Sequence, residues 1–285
     1  MNGTTCTKNN WWRGVNKLFT GQLLVASILA ASPAPALAAN DLLVAPTRIL
    51  FEPRERTEEV VLKNTGDKAA TYRISLVARR MTPEGGLVEV ETLNEAEALA
   101  ESMIRFAPRR VRLEPDQPQS IRIAARRPAD LVDGEHRIHM LFRAVPDVAS
   151  VADAPTGSEG MSITLTPIYG VSIPIVVQHG KLVADVDVNG GAHDVVQDRQ
   201  GVMVSLSRSG NRSIVGDLEV NVPGVEDPVL SRPNVVIYHE VAERRVFIPT
   251  AGTDMNAYRG PATLRFYEKT SDGRRLVDER EITLG

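Results

Sequence analysis

The chain has 285 residues, 24% of them charged and 5% aromatic, with one cysteine and a formal net charge of −3. That length is a prior for about two domains, and a hydrophobic content of 42% is enough to build real cores, which excludes wholesale disorder. The near-neutral balance leaves no electrostatic footprint for nucleic acid, and the composition excludes a multi-pass membrane protein, a collagen-like chain and a disulfide-rich miniprotein.

The N-terminus reads as an export signal. Lys8, Arg13 and Lys17 form a positive region without acids, Leu23 to Ala31 (LLVASILAA) form a short apolar core, and Ala36-Leu37-Ala38 is a small-x-small cleavage pattern. Cleavage after Ala38 assigns residues 1–38 to a secretory signal peptide and predicts an exported chain with no membrane span after cleavage. An uncleaved N-terminal anchor is the alternative. The leader carries Cys6, Trp11 and Trp12, so the mature chain has neither Cys nor Trp and must hold itself together by core burial alone.

Beyond the leader the dominant period is two. Tyr72, Ile74, Leu76 and Ala78 alternate with Arg73, Ser75 and Val77. Ile121, Ile123 and Ala125 alternate with Arg122 and Ala124, and Ile138, Met140 and Phe142 with Arg137, His139 and Leu141. Each pattern predicts a strand with one apolar and one more polar face. Asn64-Thr65-Gly66, Pro83-Glu84-Gly85-Gly86, Glu114-Pro115-Asp116 and Asp133-Gly134 supply turns between them. Only Leu93 to Ser102, rich in Ala and Glu, predicts a short surface helix or turn.

Pro146 to Gly160 is a long, small, polar and acidic stretch, of a length uncommon inside a compact domain unless functional or disordered. Met161 to Gln178 follows, the longest apolar β-type run in the chain. Pro167 and Pro174 demand an edge position or a break there, because proline cannot donate a ladder hydrogen bond. So apolar an edge is an aggregation hazard unless something covers it. After Gln178-His179-Gly180, short strands are predicted from 181 to 283, with turns at Gly190-Gly191, Ser209-Gly210-Asn211 and Ser271-Asp272-Gly273. The fold class is all-β, two consecutive β-sandwich domains covering 39–178 and 179–285.

Four blocks then carry a resemblance, in order: Ala45 to Phe51 (APTRILF), Val60 to Gly66 (VVLKNTG), Arg112 to Pro115 before Gln119 to Ala124, and Asp133-Gly134-Glu135 leading into Ile138 to Pro146. Over about 45 to 180 the chain resembles the PapD-like periplasmic chaperones of chaperone-usher pilus assembly. The resemblance implies immunoglobulin-like sandwiches in a boomerang arrangement, and a chaperone that donates an edge strand to a pilin-like secreted subunit and delivers it to an outer-membrane usher. β-Augmentation of this kind takes affinity from backbone hydrogen bonds and specificity from alternate side chains. The subunit-binding residues it implies are Met161, Ile163 and Leu165, which share one face, and Arg48, whose guanidinium fork suits a subunit's terminal carboxylate. Ordinary core packing is the alternative for the first three, and an exposed edge arginine for the last. Classical members place a lysine beside that arginine. Tyr169 to Ile175 has none, and Gly170 or Ser172 falls nearest. Glu135 matches an acidic position of the family's interdomain charge network. The same apolar edge would let a lone chaperone cap itself as a homodimer.

Chemistry of other kinds has no motif here. No nucleophile elbow, phosphate loop, EF-hand loop or zincin helix is present, so no enzyme, no catalytic residue, no metal and no cofactor is expected. His136 and His139 lie on opposite strand faces and are read as exposed or locally paired. The alternative function is a passive exported β-sandwich for adhesion or matrix structure, with no chaperone activity.

Overall fold

The computed structural model describes residues 41–146, 168–250 and 259–285. The leader, most of the acidic stretch and the run containing Met161, Ile163 and Leu165 lie outside the described residues. In chain order the first half holds β1 (Leu42–Ala45), β2 (Ile49–Phe51), β3 (Thr57–Asn64), β4 (Ala70–Met81), β5 (Leu87–Val90), α1 (Glu95–Met103), β6 (Ile104–Ala107), β7 (Arg110–Leu113), β8 (Pro118–Ala125), β9 (Gly134–Val145) and β10 (Gly170–His179). The second half holds β11 (Ala184–Val196), β12 (Arg199–Gly210), β13 (Ile214–Asn221), β14 (Leu230–Ile237), β15 (Glu243–Pro249), β16 (Gly260–Thr270) and β17 (Gly273–Leu284).

These strands form two sandwiches. In the first, a sheet ordered β1-β3-β8-β6 faces one ordered β2-β10-β9-β4-β5, with β7 also on β4. The period-two residues meet between them: Val60, Leu62, Ile121 and Ile123 from one sheet, Ile74, Ile138, Met140, Phe142 and Ile175 from the other. Each such side chain, fully buried, stabilises the fold by about 1.5–3 kcal/mol. The chain crosses from one sheet to the other at Pro46–Arg48, so that β1 pairs antiparallel with β3 while β2 pairs parallel with β10. In the second sandwich β11-β12-β15 faces β14-β13-β16-β17 over a core of Val186, Val204, Leu218, Ile237, Leu264 and Phe266.

Local chemistry explains the joints. Asn64 is completely buried, and its amide donates to the carbonyls of Lys68 (2.7 Å) and Leu113 (3.1 Å) while its Oδ1 accepts from Gly66 N (3.0 Å). One side chain thus closes the Asn64-Thr65-Gly66 turn and ties it to β7. The helix predicted from Leu93 begins after Asn94, whose side chain caps Glu97 N at 2.8 Å while Glu97 answers to Asn94 N at 2.8 Å, a capping box.

One expectation is corrected and one alternative is decided. Gly190-Gly191 is not a turn but lies inside β11 at a bulge, Gly190 having φ +152. The chain reverses instead at Gln197-Asp198, both with positive φ, the conformation that a two-residue hairpin turn requires. The more polar row of β9 is not solvent-facing either. Every residue from Gly134 to Phe142 is buried. The second sandwich covers the face of Arg137 and His139, His136 lies on the opposite face, and both histidines are locally paired, His136 Nε2 with Val132 O at 3.2 Å and His139 with Arg137 Nη1 at 3.3 Å.

Candidate functional site

The outer face of β9 is the floor of the junction between the sandwiches. Arg137 and His139 project from it, and the segment Tyr238–Glu240 from the second sandwich closes over them. The Arg137 guanidinium lies 3.8 Å above the Tyr238 ring, donates to Arg79 O at 2.9 Å, and pairs with Glu240. His139 sits 3.3 Å from Arg137 Nη1 and edge-on to Tyr238 at 6.5 Å. Burial, with Arg137 and Arg79 adding like charge, lowers the His139 pKa to about 3, so the ring is neutral at ordinary pH. Burial also lowers the His239 pKa, against the opposing pull of Glu240 and Glu135. It raises that of Tyr238, while Arg137 and Arg48 pull the other way. A cavity of about 340 Å³ opens alongside, lined by Arg79, Arg80, Glu97, Arg137, His239 and Glu240 among others.

Glu135 stands at the same junction. Its carboxylate accepts from Gln178 Nε2 at 3.0 Å and from the backbone of Ser213, in the second sandwich, at 2.7 Å. Asn211 gathers the linker around it, donating to Asp133 O and Lys181 O and accepting from Val183 N. Arg208 holds the covering segment through the carbonyls of His239 and Val241. Gly180, at φ +61 with Asp133 packed where a Cβ would stand, lets the chain turn from one sandwich into the other.

The second feature is an incomplete edge. β10 pairs with β9 along its whole length, Gly170 to His179, but β2 covers its other side only from Ile175 to Val177. Gly170–Pro174 has no strand on that side among the described residues, and Pro174, unable to donate, stands where the pairing stops. Arg48 immediately precedes β2. Since Ile49 is level with Ile175, Arg48 is level with Pro174, and through it with His139. Pro174, not Gly170 or Ser172, therefore occupies the position beside the arginine. Arg48 is half-buried, and its buried Nε has no hydrogen-bond partner among the described residues.

Sequence reasoning brought Arg48 and Glu135 to one side of the first sandwich but missed Arg137, Tyr238 and Glu240. The one signal was Leu141, an apolar residue in the polar row of β9. Met161, Ile163 and Leu165 lie outside the described residues. Among the described residues no group of three His, Cys, Asp or Glu side chains could hold a metal ion, and no helix is long and apolar enough to cross a membrane.

Solved chaperones resemble this chain. The complex of the chaperone CsuC with the tip adhesion subunit CsuE, from archaic chaperone-usher Csu pili of Acinetobacter baumannii, matches at a TM-score of 0.46 and 12% identity, over 86% of this chain and 99% of that one. The YadV chaperone matches at 0.46 and 13%, over 85% and 100%. The Pseudomonas aeruginosa CupB2 chaperone matches at 0.45 and 13%, over 85% and 100%. No family model and no curated protein matches the chain.

Proposed function

We propose that this protein is an exported, periplasmic assembly chaperone that binds a pilin-like secreted subunit by lending it an edge strand. The side of β10 from Gly170 to Pro174, which no strand covers among the described residues, carries this reading. It continues directly from the apolar run holding Met161, Ile163 and Leu165, and it ends beside Arg48. A subunit that lacks a strand would take its missing backbone hydrogen bonds from this edge and fill its groove with the three alternate side chains. Arg48, half-buried at the end of that edge, would hold the subunit's terminal carboxylate from one side. The partner lysine of the classical pair is replaced by a proline, so the anchor has a single cation. No nucleotide is needed, because the subunit leaves when a better-fitting strand replaces the lent one, the usher being the site of exchange.

The test is an affinity capture of the tagged protein from periplasmic extract, comparing wild type, Ile163→Asp and Arg48→Glu, with bound proteins identified by mass spectrometry. A small β-rich secreted subunit held by wild type and lost from both variants is expected. Retention by Ile163→Asp would refute strand lending, and retention by Arg48→Glu alone would remove the carboxylate anchor. An empty wild-type lane, in cells expressing the neighbouring exported proteins, would return the chain to a passive sandwich.

A further inference from the structure

At the far end of the same sheet, away from the junction, three arginines stand in one row across three strands. Arg73 on β4 is directly opposite Arg110 on β7 and directly opposite Arg143 on β9, and Arg143 is in turn opposite Gly170 on β10. All three are exposed and share the sheet's outer face, since their strand neighbours Tyr72, Ile74, Val111 and Phe142 point into the core. Neighbouring strands are about 4.8 Å apart, so the three arginine side chains leave the sheet side by side. Arg112, one position along on the same face and opposite Thr71, extends it.

Like charges directly opposite each other on a ladder are destabilising, and a sheet normally sets acids between them. Among the described residues, the ion pairs made by arginines of the first sandwich are at Arg79, Arg80, Arg112 and Arg137. Arg73, Arg110 and Arg143 meet no acid among the described residues. The Arg112 pair, with Glu114 at 3.3 Å, has both side chains at least 60% exposed and holds little. At the Gly170 end of the row, Ile168 and Tyr169 are 58% and 45% exposed.

We propose that this row is a docking surface for an acidic polypeptide segment. The guanidinium fork binds carboxylates bidentately, and the row contains no lysine. Flanking Tyr and Ile beside clustered Arg is the composition of a protein interface. The row meets the strand-lending edge only at Gly170, opposite Arg143, and the inference does not depend on that reading.

The test titrates fluorescein-labelled deca-glutamate into the mature protein and follows anisotropy. Wild type is compared with Arg73→Gln/Arg143→Gln and with Arg54→Gln/Arg122→Gln, which removes equal charge at exposed positions elsewhere. Affinity is expected to fall about tenfold in the first variant and less than about twofold in the second. Removing opposed charges should leave the first variant's melting temperature no lower than wild type. Should it fold poorly, Arg110→Glu at the end of the row must give the same ordering. No binding by wild type, or equal losses in both double variants, overturns the proposal. So does sedimentation with vesicles of one part phosphatidylglycerol to three of phosphatidylcholine when the peptide fails to bind, which would make the row a lipid contact.

Discussion

Replacing His139 with Gln should flatten the acid limb of the stability curve. The imidazole is 1% exposed and folds as the neutral form, its pKa lowered from 6.5 to about 3. A histidine whose folded pKa lies below its unfolded value costs nothing above about pH 6.5. As pH falls below that, protons bind the unfolded chain preferentially and stability drains away until the folded pKa is reached. At pH 5 the loss is RT ln[(1 + 10^1.5)/(1 + 10^−2)], about 2 kcal/mol from this one residue. Glutamine keeps an acceptor for Arg137 but cannot titrate. Urea unfolding at pH 7.5 and pH 5, for wild type and His139→Gln, isolates the term because the other titrating groups are common to both. The variant is expected to start lower at pH 7.5 and to lose about 2 kcal/mol less on acidification. Equal losses in the two proteins would mean that His139 is wet in the folded state and that the second sandwich does not seal the outer face of β9.

Two further outcomes follow from the same joints. Glu240→Gln removes the counter-ion of an arginine side chain that is 5% exposed, and should cost roughly 3 kcal/mol in urea unfolding, whereas Arg137→Met/Glu240→Leu should be close to wild type. Asn64→Ala strands two carbonyls and an N–H at the β3 turn and should cost about 2–3 kcal/mol, read as a lowered melting temperature with an unchanged circular dichroism spectrum.

How much of this could be read from the chain depends on how far each determinant lies from the residue it acts on. The strand of Ile121, Ile123 and Ala125 was legible because its two faces meet core and water, and alternation records that directly. The helix was legible because Asn94 and Glu97 settle its start within one turn. β9 was half legible. Its apolar face was clear, but a polar row covered by another domain has nearly the same composition as one covered by water. What dries Arg137 and His139 is Tyr238–Glu240, about a hundred residues away in sequence, and the ring stacking and ion pair that make this burial tolerable have no local signature. Gly190-Gly191 misled because glycine marks a bulge as readily as a turn, while the actual reversal uses Gln197 and Asp198. The placement of Pro174 beside Arg48 is a matter of register between strands at opposite ends of the sandwich, which no spacing along one strand encodes.

The parallel pairing of β2 with β10 also orders events in time. Its partners lie at the two extremes of the first sandwich's sequence, so this contact has the largest loop to close and the least local help. β4, β9 and the β3–β8 pair can assemble from nearer neighbours while Ile49–Phe51 waits. Arg48 therefore reaches its place only when β10 has docked. A truncated or half-made chain would carry the arginine without positioning it, and the uncovered stretch of β10 ending beside it would take shape only in a finished first domain.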